Sequence, residues 1–326
     1  MTLPPLSLAR KLDTRIWGGD TLGPWLGIAD APANLGESWQ VYDQNTIVGG
    51  PFAGRTLADL TREHGAALVG GRSFARYGAD FPLLAKFIDS TAPLSIQVHP
   101  DDAYAHSVEA ASGFHGKTEA WYILHTAPNA EVIHGLSRAT DRQQFAAAVA
   151  DGTLMELMRR LPVTPGDTIF VPAGTVHAIM AGVTLFEIQQ KSDLTYRVYD
   201  YDRRDAHGNT RELHLDRALD VIDYGLPTSG KTVPQTLADG RTLLVSCPYF
   251  AMERWQIAGQ TAGSTEASTF TILTTIEGDA TLRWHDAAFA LPRGVSLVLP
   301  ASCGDYTLET EAGATLLACT VPPATA

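Results

Sequence analysis

The 326-residue chain is poor in cysteine. Cys247, Cys303 and Cys319 are odd in number and show no Cys-x-x-Cys spacing. That argues against a disulfide framework and for a reduced compartment. Positive charge is also short: 24 Lys and Arg against 36 Asp and Glu leave a formal net charge of -12. Nucleic acid and anionic membrane surfaces need a basic face, so neither is expected as a partner. The start, Met1-Thr-Leu-Pro-Pro5, has no basic segment leading into an apolar run, and no later run approaches membrane-spanning length. The expected location is therefore the cytoplasm. No Gly-x4-Gly-Lys-Ser/Thr loop and no Gly-x-Gly-x-x-Gly fingerprint occurs, so no nucleotide cofactor is implied. No obligatory protein partner is implied either.

What is present is a chain with 45% hydrophobic residues, enough to bury a large core. Helical spacing covers Leu57 to Val69, with Thr56 as N-cap, and Thr140 to Leu161, ended by Pro162 and Pro165. A shorter helix is expected over Asp216–Asp223, and Asp101 or Asp102 is placed to cap another. Strands are expected at Leu94–Val98, Thr168–Val171, Val183–Gln189 and Tyr196–Asp200. Glu119–His125 and Glu131–Leu136 read as a pair of strands. From Phe250 onward the pattern is almost wholly strand and turn. One weak repeat stands out: Gly166-x5-Pro172-Ala-Gly-Thr-Val-His177 against Gly294-x5-Pro300-Ala-Ser-Cys-Gly304. The second copy lacks the histidine. Two related β-modules follow, 1–240 with the helical segments near 56–69 and 140–161, and 241–326 without metal. The inward face of the second is expected to hold Phe250, Ile272, Leu282, Leu297 and Leu299.

Four possible metal ligands lie on three separated segments. Gln97 and His99 stand in Leu94-Ser-Ile-Gln-Val-His-Pro100, Glu119 in Gly116-Lys-Thr-Glu-Ala-Trp121, and His177 ends the first repeat. Neutral imidazoles with a carboxylate suit a divalent transition ion, zinc first. Gln97 and His99 are two apart, so a strand would present both on one face. The same parity puts Lys117 on the face of Glu119. Gln97 suits either a place on the ion or a hydrogen bond to a ligand. Each of these residues alone would read as an ordinary surface or hydrogen-bonded group. Their occurrence together favours the ligand reading.

The run Gly166-x5-Pro172-x-Gly174-x2-His177 resembles the second characteristic motif of the cupin superfamily. The usual His-x-His of the first motif is replaced here by Gln97-x-His99, with Glu119 unusually far downstream. That combination resembles the class I mannose-6-phosphate isomerases. Leu94–Asp102, Gly116–Tyr122, Phe186–Asp200, Arg15-Ile-Trp-Gly-Gly19 and Gly36-Glu-Ser-Trp39 share the resemblance, which runs from about residue 10 to the C-terminus. It is closest to the short bacterial branch. Longer members carry an Arg-Ala-Gly segment where this chain has Tyr196-Arg-Val-Tyr-Asp200, and Arg197 falls at the family's active-site arginine.

The resemblance implies a mainly β fold of cupin-like jelly-roll barrels, two related modules with a few helices around the first. It implies one Zn2+ per chain on His99, Glu119, His177 and Gln97, with Arg197 and Lys117 catalytic. Ser95 and Lys86 become candidate pocket or phosphate contacts. The implied substrate is a phosphorylated sugar, and the implied reaction interconverts mannose 6-phosphate and fructose 6-phosphate through a cis-enediol. The residues suit it, since a Lewis-acidic ion stabilises a developing enediolate and a positioned base moves the proton. Lys117, a metal-bound water or one of His106, His115, His125 and His134 could be that base. Arg197 suits electrostatic support, with a structural salt bridge as the plain alternative. Two other classes stay open: another cupin metalloenzyme such as an iron dioxygenase, and a non-catalytic sugar-phosphate-binding cupin. The absent His-x-His counts against the first, and the intact ligand set and Arg197 against the second.

Overall fold

The computed structural model describes residues 2–204, 207–227 and 229–323. Its strands form three sheets, all paired antiparallel. A six-stranded sheet runs in the order Lys11–Gly19, Leu35–Val41, Leu83–Ser90, Val183–Gln190, Glu119–Thr126, Thr168–Val171. A five-stranded sheet has the order Tyr196–Tyr199, Ile96–Val98, His177–Ile179, Glu131–Leu136, Met158–Pro162. The third sheet is nine-stranded and holds the C-terminal strands from Gln235 onward. It also takes in Leu6–Ser7 from the start of the chain, which pairs with Ser296–Leu299.

The six-stranded sheet lies in the middle, and its side-chain alternation shows why. Phe87, Tyr122, Phe186 and Ile188 point to a core shared with Ile272 and Leu317 of the nine-stranded sheet and with Phe250 and Phe270, which directly precede two of its strands. Ile88, Trp121, Ile123 and Leu185 point the other way and pack with Val132 and Ile179 of the five-stranded sheet. Strands buried on both faces read as continuous apolar runs, and every residue of Leu83–Ser90 and of Val183–Gln190 is buried. The outer face of the five-stranded sheet carries Ile96, Val98, Ala178 and Val198. It is covered by Phe145, Ala148, Leu154 and Leu157, and by Ala218 and Leu219 from helix Leu215–Val221. Period-two alternation therefore leaves Gln97, His177 and Arg197 on the inner face, towards the central sheet.

Thr56 caps helix Leu57–His64 through a capping box with Asp59. Gly65, at φ +47°, separates it from the next short helix, Ala66–Val69. Asp101 caps helix Asp102–Ser107 by accepting from the Tyr104 N–H. Two expectations need correction. The helix expected over 140–161 ends at Ala150, and Gly152 turns the chain at φ +72°. After the short helix Leu154–Leu157 the chain becomes a strand, because Met158–Pro162 pairs with Glu131–Leu136. Pairing along a sheet edge overrides the helical spacing of its leucines. Glu119–Thr126 and Glu131–Leu136 are both strands but do not pair with each other. Asn129, at φ +59°, turns the chain between them, and they enter different sheets.

The two copies of the repeat share one local shape. Gly166 and Gly294 both have positive φ, 91° and 79°, and lead into strands Thr168–Val171 and Ser296–Leu299, each followed by proline. Phe250, Ile272, Leu282, Leu297 and Leu299 are all fully buried, on two sides of the C-terminal sheet. The first two face the core shared with the central sheet, and the last three face a separate core. Among the described residues, no helix is long and apolar enough to cross a membrane.

Candidate active site

Strand register assembles the site. On the five-stranded sheet, Gln97 is the cross-strand partner of both His177 and Arg197. The three therefore form one row across three strands. On the central sheet, Glu187 is the partner of both Lys86 and Trp121, forming a second row. Glu119 lies two residues before Trp121 and shares its face. The two rows bound a cavity of about 400 Å³ whose lining includes Ser95, Gln97, Lys86, Lys117, Glu119, Glu187 and Arg197.

Behind the cavity wall at Glu119, the side chains of His99, Glu119 and His177 converge, each 1% exposed. His177 Nε2 lies 3.3 Å from Glu119 Oε1, and His99 Nε2 lies 3.5 Å from Glu119 Oε2. Each imidazole is oriented by its other nitrogen. His99 Nδ1 donates to the Leu194 carbonyl at 2.8 Å, and His177 Nδ1 donates to the Thr175 carbonyl at 2.9 Å. A carbonyl only accepts, so both protons sit on Nδ1 and both Nε2 lone pairs face the carboxylate. Burial holds both imidazoles neutral. It drives the His99 pKa well below the ordinary value, with Lys117 adding to the effect. It lowers that of His177 to about 3 despite the Thr175 carbonyl.

The Gln97 amide reaches the His177 Nε2 at 3.3 Å, and Ser95 Oγ donates to Gln97 Oε1 at 3.3 Å. A half-turn of that amide exchanges its nitrogen for an oxygen facing His177. Glu119 Oε2 is buried and has no well-aligned hydrogen-bond donor, although Lys117 Nζ stands 2.8 Å away. Lys117 Nζ is also 3.0 Å from His99 Nε2. Two lone-pair nitrogens, a carboxylate and an adaptable amide form a cluster of acceptors that calls for a cation. This donor set fits a divalent ion. The backbone supports it, because the Gly174 N–H donates to the His99 carbonyl and the Lys117 N–H to the Pro100 carbonyl.

Deeper in the cavity, Lys86 lies 3.2 Å from Glu187 and 3.6 Å from Glu37. Burial works against its charge, but the carboxylates of Glu187 and Glu37 outweigh that and hold it protonated. Glu37 is likewise desolvated. The Lys86 and Arg15 charges and a 2.8 Å bond from Trp39 Nε1 nevertheless lower its pKa to about 2. Glu187 behaves oppositely: burial and then the Glu119 charge raise its pKa above the ordinary range. Trp121 Nε1 donates to Glu187 Oε2 at 2.8 Å, while Oε1 is buried with no well-aligned hydrogen-bond donor, although Lys86 Nζ stands 3.2 Å away.

At the other end stand Arg15, Arg197 and Arg211. Arg15 is paired with Asp13 and Glu37, and Arg211 with Asp200. Arg197 makes no ion pair among the described residues, and its Nε is buried without a hydrogen-bond partner. Burial, and next the Arg211 charge, lower its pKa. Among the described residues, the structural salt bridge considered for Arg197 is not found. His106, His115, His125 and His134 lie outside the cavity lining. Sequence reasoning missed Glu187, Glu37 and Trp121. A signal existed for the first two: acidic groups inside strands whose neighbours are all buried are costly unless they have a task.

Fold and site together define a cupin with a cation-binding cluster between two of its sheets. Comparison with known proteins makes the class specific. Residues 6–122 match the family model for the phosphomannose isomerase type I catalytic domain, and 240–317 match that for the mannose-6-phosphate isomerase cupin domain. The chain is 37% identical over 315 residues to mannose-6-phosphate isomerase ManA of Bacillus subtilis, covering 95% of this chain and 97% of that one. The crystal structure of the mannose 6-phosphate isomerase from Bacillus subtilis superposes with a TM-score of 0.85 at 34% identity, over 97% of this chain and 99% of that one. A zinc-bound mannose 6-phosphate isomerase shares the fold, with a TM-score of 0.76 at 18% identity over 97% and 99% of the two chains. The chain belongs to the type I mannose-6-phosphate isomerase family.

Proposed function

We propose that the protein interconverts mannose 6-phosphate and fructose 6-phosphate, with one zinc ion per chain held by His99, Glu119, His177 and Gln97. The observation that carries this reading is the cluster of His99, Glu119 and His177, whose Glu119 lines one cavity with Gln97, Lys117, Glu187 and Arg197, in a family member. The reaction moves a proton from C2 to C1 and a hydroxyl proton from O2 to O1 through a cis-enediol. A divalent ion bound at the cluster supplies Lewis acidity, which stabilises charge developing on the two oxygens.

The chain's own groups supply the rest. Glu187 Oε1 carries the carbon-bound proton. Burial, and then the Glu119 charge, raise its pKa, which makes it a stronger base than an ordinary carboxylate. Trp121 fixes the other oxygen of that carboxyl. Lys86, held charged by two carboxylates, faces the enediolate side of Glu187 as a positioning group. Lys117, beside two acceptors, is placed to donate to a substrate oxygen. Arg197 provides the uncommitted positive charge for the enediolate or the phosphate.

In the same reading residues 1–240 carry catalysis and 241–326 form a metal-free unit. The decisive experiment is a coupled assay with mannose 6-phosphate, run with and without a chelator. Turnover that is lost on chelation and restored by zinc supports the proposal. No turnover of mannose 6-phosphate after zinc resupply overturns it.

A further inference from the structure

A second group of ligand-type side chains lies outside the cavity. His106, on helix Asp102–Ser107, directs Nε2 at His115 Nδ1 across 3.1 Å. Asp102, at the start of that helix, offers a carboxylate oxygen within 4.8 Å of both nitrogens. The rings are nearly perpendicular, 80° apart, so neither blocks the space between the nitrogens by stacking.

Three details go beyond chance proximity. First, His115 is oriented from behind: its Nε2 donates to Asp80 Oδ2 at 3.1 Å, so its Nδ1 accepts a hydrogen bond from His106 Nε2, the bond that an ion between them would replace. Asp80 is itself fixed by Lys191 at 2.6 Å. A carboxylate behind an imidazole is the usual arrangement at a metal-bound histidine. Second, the spacing suits an ion. Nitrogens about 2.0–2.1 Å from a divalent ion and 3.1 Å apart subtend about 100° at it, between the octahedral and tetrahedral angles. Third, Asp102 is already anchored through Oδ1, which accepts from the Gly116 N–H at 2.9 Å and from Gln190 Nε2 at 2.8 Å. Its second oxygen makes no hydrogen bond among the described residues and lies 3.9 Å from Arg76.

We propose that Asp102, His106 and His115 form a second, surface site for a borderline divalent transition cation such as Zn2+ or Ni2+. Two imidazoles with one carboxylate select this class over Mg2+ or Ca2+, which prefer oxygen ligands alone. The three residues are distinct from the ligands of the buried cluster, and the site does not depend on the reaction assigned to the cavity. An ion here ties the helix to the segment that leads directly into Lys117.

The test is equilibrium dialysis of the zinc-loaded protein against micromolar Ni2+, with metal counted per chain. The expected result is one additional ion in the wild type, absent in His106→Ala and retained in His285→Ala, a control at another exposed histidine. Asp80→Asn should weaken the second ion about 10–100-fold, the range for loss of a carboxylate behind a ligating imidazole. Ni2+ should also slow proteolysis within 108–114 in the wild type and leave the rate in His106→Ala unchanged. Failure of the wild type to take up an additional ion overturns the proposal. So does an additional ion that persists in His106→Ala with unchanged affinity.

Discussion

Lys86 and Glu187 are partners across two antiparallel strands, and Lys86 Nζ stands 3.2 Å from Glu187 Oε1 inside the cavity. The lysine has a second carboxylate, Glu37, so one cation serves two acids of opposite character. Glu37 is held ionised, and Glu187 is pushed towards its neutral form. Environments that drive two carboxyl groups apart mark a division between a fixed charge and a proton carrier.

Glu187→Gln keeps the size of the side chain and removes its titration. If Glu187 carries the substrate proton, kcat should fall about 10²–10⁴-fold while metal content stays at the wild-type level. Steady-state kinetics with metal analysis on the same sample checks this. Near-normal kcat would return the proton-transfer role to Lys117.

Glu37 sets an acid limit on stability. Its folded pKa of about 2 lies below the ordinary value of 4.5. A depressed carboxylate stabilises the fold above the ordinary value, and that contribution is lost as pH falls from 4.5 towards 2. The shift corresponds to about 3 kcal/mol at neutral pH. Urea unfolding of Glu37→Gln should show a loss of that order at pH 7. The slope of stability against pH below 4.5 should be shallower than in the wild type.

Arg197→Ala should lower kcat about 10²–10³-fold, as for other lost electrostatic contacts to a transition state, with zinc retained. The unfolding free energy should change little, because the guanidinium makes no ion pair among the described residues. A raised KM with normal kcat would assign it to phosphate binding in ground state and transition state alike.

His177→Ala removes one of the two oriented Nε2 donors. Metal analysis after dialysis should show the ion lost from the variant and present in the wild type. Activity of the wild type should vanish with a chelator and return with zinc. A variant that keeps its ion through dialysis would remove His177 from the ligand set.

Much of the site could be read from the sequence because it depends on parity. Gln97 and His99, or Lys117 and Glu119, are two apart, and extended backbone puts both members on one face. The Gly166–His177 turn is local as well. The partners of Glu187 were not readable, because a cross-strand neighbour depends on register between segments about a hundred residues apart. Lys86 shows the same limit. The family resemblance offered it as a pocket or phosphate contact, and only the register shows its charge shared between two acids. The division of Glu119–Thr126 and Glu131–Leu136 between sheets was hidden for a related reason, since a short turn reads like a hairpin whether or not the chain crosses to another layer.

The small strand Leu6–Ser7 has a consequence in time. Its partner residues, Val298 and Leu297, come near the opposite end of the chain. Ser7 and Ala9 can bond early, to Val48 and Thr46, but the sheet pairing of Leu6–Ser7 must wait until Leu297 and Val298 have been made. Closing so long a loop is entropically costly and slows folding. Ala301 and Ser302 add backbone bonds to Leu68 and Ala67, and Arg72 reaches the Val321 carbonyl, so the late strands fasten onto early helices as well. The late strand Ser296–Leu299 is thus the latch that secures the early strand Leu6–Ser7.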